Sequence, residues 1–502
     1  MQLLSKSKII SGIQCHKKLW LETHVKQDIL ESHLFALGNR FGDFARTHYG
    51  DGVNLDGKSN KDEIFNKTNS ALLDPKVNVI YEAAFEFENV LVRVDVLKRD
   101  KDGWEMIEVK SSKEAKTHHL NDIASQAYVA LGCGLKLNLM KVAHINKNFL
   151  YKADGDYSGL LVEADVTSEV IERLSDVKTW ISDLLPIVQL DSPRPIEDIE
   201  DFKCKTPYPC QFLPLCSAEL PKLAEVPISI LPNTGKKLAE KWGKEKIYDL
   251  RNLPDGALTN ERHEIIRQAH QTNTPYISKE MVEKVRSLPG PYFFMDFETV
   301  MQGVPLIPNT KPNDAVPFQW SIHSIEDLAN TTGLNDGRAF LEFLSPTLFR
   351  DFLTSLIGAL GESGTIFVHH KSTEIKALRY LVDQKQCADL KDTVEKIVFR
   401  IEDTLDLVRD GMYFPEMGLS EGSTYSIKTI TKVIPTSVDY QEDGELGSGN
   451  DAQLLWFKCT DLKNRLSESE IQAFKNNLLK YCAKDTLALV DLVRFIHTQS
   501  IH

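Results

Sequence analysis

The stretch "LVRVDVLKRDKDGWEMIEVK", Leu91–Lys110, holds two runs rich in Val, Leu and Ile on either side of "RDKDGW", a cluster of turn formers. The text before it, "YEAAFEFENV", carries the same strand signal, so a meander of strands is predicted from Tyr81 to Lys110. Residues two apart in a strand share a face, which puts Glu108 and Lys110 on the same side. A hairpin through the turn brings Asp95 beside them. Two carboxylates so placed suit a divalent cation that polarises a phosphate and lowers the pKa of a bound water. A neighbouring lysine can orient that water or stabilise charge in the transition state.

Downstream, "HLNDIASQAYVALGCG" has helical spacing and ends on glycines, with Asp122 and Gln126 one turn apart on one face. "KLNLMKVAHIN" reads as a further strand, and "TSEVIERLSDVKTWISDLLPIV" as a helix stopped by proline. The series "RVDVL … WEMIEVKSS … DIASQAY" resembles the PD-(D/E)XK nucleases of the RecB type. The resemblance implies an active site of Asp95, Glu108, Lys110 and Gln126, with Asp95 and Glu108 holding metal. Relatives often place a Tyr four residues after the Gln. Here Ala130 stands there and Tyr128 lies two residues earlier. Many also carry G-x-x-x-H in the helix before the sheet. Here Gly38 is followed by Gly42, which leaves His48, Glu82 or Glu86 as the substitute.

"DFKCKTPYPCQFLPLC", Asp201–Cys216, sets Cys204, Cys210 and Cys216 at six-residue intervals. A closed thiolate site needs a fourth ligand, and Cys15 in "SGIQCHKKLW" is the candidate. This bracketing of a nuclease pattern resembles the iron–sulphur RecB-like nucleases, among them those of CRISPR adaptation and AddB-type repair. It implies a structural [4Fe–4S] cluster on these four cysteines. Thiolates also suit zinc, although no C-x2-C pair of a zinc ribbon is present. Cys133, Cys387, Cys459 and Cys482 are expected to be small buried residues.

The middle of the chain contains "LPNTGKKLAEKWGKEKIYDLRNLP", which resembles a helix–hairpin–helix. Lys236, Lys237, Lys241, Lys244 and Lys246 make it the most basic stretch, either a grip on nucleic-acid phosphates or a solvated connector. After Pro289–Gly290–Pro291 a second α/β block begins. Its first strand, "FFMDFET", puts Asp296 and Glu298 on one face, and its last helix contains "YCAKD", with Tyr481 and Asp485 four residues apart. Between them "TIFVHHKSTEIKALRYL" runs from a strand to Glu374 at a helix start. These motifs, in this order, resemble the DnaQ-like exonucleases of the ribonuclease H fold, in the tyrosine-bearing DEDD subgroup. The resemblance implies metal binding by Asp296, Glu298, Glu374 and Asp485, and a water oriented by Tyr481. Counterparts of "DTLDLVRD" add Asp403 or Asp406 as a further acid.

The chain of 502 residues exceeds one core, and its 42% hydrophobic and 26% charged residues are those of a globular protein. No apolar run reaches the length of a membrane helix. The opening MQLLSKSKII lacks secretory features, so a reducing cytoplasmic setting without disulfides is expected. A net charge of −13, from 72 acids and 59 bases, excludes a coat held to nucleic acid by bulk charge. The domain order expected is a PD-(D/E)XK restriction-endonuclease-like domain at 1–220, a helical connector at 225–288 and a ribonuclease H-like α/β domain at 289–502. That order resembles an uncharacterised bacterial family pairing the two nuclease types. It implies a nuclease, an exonuclease by its second domain's kinship, using Mg²⁺ or Mn²⁺ on DNA in preference to RNA, in repair, recombination or defence, with a helicase or repair partner and no membrane. A nucleic-acid-binding scaffold with degenerate sites and an RNA-processing exonuclease are the alternatives.

Overall fold

The computed structural model describes residues 3–25, 32–57, 60–152, 155–196, 201–330, 333–420, 422–440, 447–461 and 465–500. It is mixed α/β and divides into two compact units, Met1–Pro221 with Gln302–Asn313, and Lys222–Met301 with Asp314–His502. The segment 225–288 thus groups with the second unit.

In the first unit, helices α1 (Lys6–Gln14), α2 (His16–His24) and α3 (His33–Tyr49) precede strands β1 (Val79–Phe87), β2 (Val90–Asp100) and β3 (Gly103–Lys110). Helix α4 (Thr117–Gly132), strands β4 (Leu137–Ile145) and β5 (Leu161–Asp165) and helix α5 (Thr167–Leu184) follow. The meander forms because its turns are two residues long: Glu88 and Asn89 both take positive φ, the backbone twist a tight hairpin requires. Strands β1 to β3 are antiparallel, while β4 returns parallel to β3 through α4. Among the described residues these strands belong to a seven-stranded sheet. Apolar residues of α1, α4 and α5 cover one face, including Ile9, Ile123, Ala127 and Val177, and Phe41 and Ala45 of α3 cover the other.

In the second unit, β6 (Tyr292–Met301), β7 (Ala315–Ile325), β8 (Leu334–Leu341), β9 (Thr365–Val368) and β10 (Ile401–Asp403) form a sheet of order β8-β7-β6-β9-β10. The first two pairings are antiparallel and the last two parallel. Helix α6 (Lys371–Val382) leaves β9, α7 (Thr404–Gly411) leaves β10, and α8 (Gly449–Cys459) precedes the long α9 (Glu468–Thr498). A capping box starts α9: Ser467 Oγ accepts from the Glu470 amide, and Glu470 reaches back to the Ser467 amide at 2.8 Å. Leu489, Val490 and Val493 of α9 then pack on Phe294 of β6 and Phe367 of β9. The lysine-rich stretch forms a short helix, Gly235–Gly243, anchored by Trp242 on Ile228 and Leu250, and its five lysines are exposed. Among the described residues, no helix is long and apolar enough to cross a membrane.

Candidate active sites

Three clusters gather the residues singled out in the sequence. The first lies where β1, β2 and β3 meet α4. Val96 pairs with Tyr81 on one side and Ile107 on the other, so Glu82, Asp95 and Glu108 stand in a row across three strands. The strand alternation changes phase at this row. Ile80 and Ala83 share one core although they are three apart, as do Val94 and Leu97. Glu82 absorbs the change with a left-handed φ of 58°.

Gln126 donates to Glu108 Oε2 at 2.6 Å, and Lys110 Nζ reaches Glu108 Oε1 at 2.7 Å and Asp122 Oδ2 at 2.6 Å. Asp95 Oδ2 accepts from the Val109 amide at 2.9 Å. Burial alone would raise the Glu108 carboxyl, but Lys110 and Lys6 outweigh it and hold the group ionised. Asp95 moves the other way, raised by burial and by the Glu108 charge. Glu82 is pushed up to about 7 by burial and by Asp95. Of the three candidate substitutes for the missing His, it is therefore Glu82 that feels the site. Glu86 pairs with Lys61, and the exposed His48 rests its ring against Phe44 and Tyr49. Tyr128 points elsewhere and donates to Glu88 at 2.7 Å, because two residues along a helix turn the side chain off the Gln126 face.

Lys6, which has no motif to announce it, enters this cluster. Its Nζ lies 3.0 Å from Asp95 Oδ1 and 3.1 Å from Glu108 Oε1.

The second cluster joins both ends of the first unit. Cys15, Cys204, Cys210 and Cys216 line one cavity of about 70 Å³, with Gln14, Phe212 and Leu213. Gln14 donates to the carbonyls of Lys203 (2.5 Å) and Tyr208 (2.9 Å), which ties the turn after α1 to the cysteine loop. Lys17 pairs with Glu219, and Trp20 donates to the Leu190 carbonyl at 2.8 Å. Burial raises the Cys210 and Cys216 thiols. None of the four cysteines is in a disulfide.

The third cluster sits on β6 in the second unit. Asp296 and Glu298 share the strand face turned to α9, from which Tyr481, Cys482 and Asp485 project. Ligand atoms of Asp296, Glu298 and Cys482 all fall within 4.8 Å of one another. Burial, followed by the Asp485 charge, pushes Asp296 up to about 8. Glu298 is raised well above the carboxylate range by burial and by Asp296 and Asp485. Glu374, in the first turn of α6, is raised by burial and then by Asp296, and its Oε2 has no hydrogen-bond partner. Asp296, Glu298 and Asp485, predicted from separate motifs, thus share one electrostatic cluster, and Glu374 joins it through Asp296. Tyr481 is raised by burial and then Asp485, so its phenol stays protonated. Lys428 donates to that phenol at 3.1 Å, and Tyr440 donates to Asp485 Oδ1 at 2.7 Å. Tyr440 carries no sequence signal, since it lies outside the periodic segments.

Three expectations are corrected here. Cys482 is buried as expected, but its Sγ lies 3.5 Å from Asp296 Oδ2, inside the cluster. Cys133 is exposed, because it caps the end of α4 where the helix leaves the core. Asp403 spends both oxygens on backbone amides of His370, Lys371 and Leu405, each at 2.9 Å, and Asp406 pairs with Arg409, so neither is a spare acid.

A family profile described as "Domain of unknown function (DUF2779)" matches residues 293–423. The match includes Asp296, Glu298 and Glu374 and stops short of Tyr481 and Asp485. No curated protein matches the chain.

Proposed function

We propose that the chain is a metal-dependent nuclease with two phosphodiester-hydrolysing sites, acting on DNA in preference to RNA. The observation that carries this reading is the convergence of Asp296, Glu298, Glu374 and Asp485 in a buried setting. Burying several carboxylates together is costly unless cations repay it. Held by these four residues, Mg²⁺ or Mn²⁺ would supply a nucleophilic water and a Lewis acid for the leaving oxygen. The protonated Tyr481 phenol, fixed by Lys428, is placed to orient a water by hydrogen bonding. Tyr440 fixes the rotamer of Asp485. A strand order with the D-x-E strand at the centre, antiparallel on one side and parallel on the other, supports a ribonuclease H-like second unit.

In the first unit, the succession of helix, three antiparallel strands, helix and parallel strand supports a PD-(D/E)XK fold. There Asp95 and Glu108 would hold the metal, Gln126 positions Glu108, and Lys110 is the ammonium that stabilises developing charge. The four cysteines line one cavity, and a [4Fe–4S] cluster on Cys15, Cys204, Cys210 and Cys216 would pin the start of the unit to its end.

Calorimetric titration with Mn²⁺ tests the carrying observation. The expected result is cation binding that disappears in a full-length Asp296→Asn, Glu298→Gln, Glu108→Gln variant that remains folded. Undiminished binding in that variant would remove the basis of the reading.

A further inference from the structure

The two carboxylate sites differ in how their charge is met. The third cluster gathers four acids with Lys428 bonded to its tyrosine. In the first, Lys110 already serves Glu108 and Asp122, and a second ammonium, Lys6, lies between Asp95 and Glu108. Its contacts of 3.0, 3.1 and 3.2 Å use one oxygen of Asp95 and both of Glu108. Those are the atoms a divalent cation would need.

Lys6 is held there by the fold. Leu4 and Ser5 pair in parallel with Val90 and Leu91 at the start of β2, the strand that carries Asp95. Ser5 caps α1 by accepting from the Lys8 amide, so Lys6 is the first residue of that helix. The far end of α1 is fixed in turn by Gln14 to the cysteine loop. With the helix anchored, the backbone of Lys6 is already ordered and only its side-chain entropy is lost in making these contacts.

We propose that Lys6 is the resident counter-ion of the first site, which a divalent cation must displace before it can bind Asp95 and Glu108. The inference rests on the reading of Asp95 and Glu108 as metal ligands. Lys6 and the cation are mutually exclusive on the same oxygens, so the lysine sets the metal concentration at which this site loads.

The test uses full-length protein carrying Asp296→Asn and Glu298→Gln, so that Mn²⁺ binding reports on the first site. Free Mn²⁺ is followed by electron paramagnetic resonance. Lys6→Met and Lys6→Gln are each expected to bind Mn²⁺ at least about tenfold more tightly, since a like charge has been taken from the cation's position. Lys6→Arg is expected to keep the parent affinity, and Glu108→Gln to abolish binding with or without Lys6. Circular dichroism identifies any variant that fails to fold, and the two neutral substitutions serve as each other's replacement. Equal or weaker binding in the neutral variants, with Glu108→Gln still abolishing it, overturns the proposal alone. Binding that Glu108→Gln leaves untouched overturns the metal reading of this site, and the proposal with it.

Discussion

Tyr440 donates its phenol to Asp485 Oδ1 at 2.7 Å from 45 residues upstream, so a loop residue fixes an acid of the last helix. The Asp485 carboxyl is raised by burial, and the Tyr440 bond is the largest influence pulling it back. Tyr440→Phe is therefore expected to leave the fold intact, at a cost of about 1–3 kcal/mol. Cleavage by the second site is expected to fall about tenfold, as Asp485 loses its fixed rotamer. Thermal melts beside single-turnover cleavage separate the two effects.

The acids of the second site give a pH signature in metal-free protein. Asp296 rises from an ordinary value of 3.8 to about 8, so the folded state binds its proton more tightly than the unfolded chain. Stability from this group is full below pH 4 and is lost as pH rises toward about 8. In EDTA, the melting temperature is expected to decline across this window more steeply for wild type than for Asp296→Asn. Near pH 8 the variant is expected to be the more stable by roughly 1–3 kcal/mol. Mn²⁺ is expected to reverse that order by stabilising only the wild type. Parallel pH profiles of the two proteins would refute this sign.

Lys110 joins Glu108 to Asp122 in the first unit. Removing it in Lys110→Ala leaves two buried acids short of a partner, which is expected to destabilise that unit by about 3 kcal/mol. Lys110→Arg is expected to recover most of the stability but little of the catalysis, because its planar fork does not reproduce a compact ammonium. Urea unfolding and cleavage assays on the pair distinguish the structural role from the chemical one.

Much of both carboxylate sites is legible in the sequence because period-two spacing in "IEVK" and "MDFE", and four-residue spacing in "YCAKD", fix which side chains share a face. What escapes is set by tertiary contact. Lys6 acts through a two-residue strand, Tyr440 through a segment without periodicity, and Glu82 through a left-handed residue inside a strand. Asp403 shows the converse. It is an acid in a suggestive place, yet it serves as a helix cap, since three amides converge on it. The cysteine spacing pointed to a shared site, and the cavity lined by all four shows how Cys15 reaches the other three.

That cavity yields a further expectation. Anaerobically purified protein should be brown, with absorbance near about 400 nm and iron in excess of zinc. Cys15→Ser should lose the colour and lower the melting temperature of the first unit, because the link between its two ends is cut. Colourless, zinc-only protein, or a Cys15→Ser variant with full metal content, would remove Cys15 from the ligand set.

The most direct test of nuclease function is cleavage of end-labelled single- and double-stranded DNA and RNA in Mg²⁺ or Mn²⁺. Wild type is compared with Lys110→Ala, Asp296→Asn and the double variant. The expected result is metal-dependent cleavage of DNA that each single variant reduces at least about a hundredfold on its own site's products, and that the double variant abolishes. Cleavage unchanged in the double variant, or none by wild type on any of these substrates with either metal, would contradict the account.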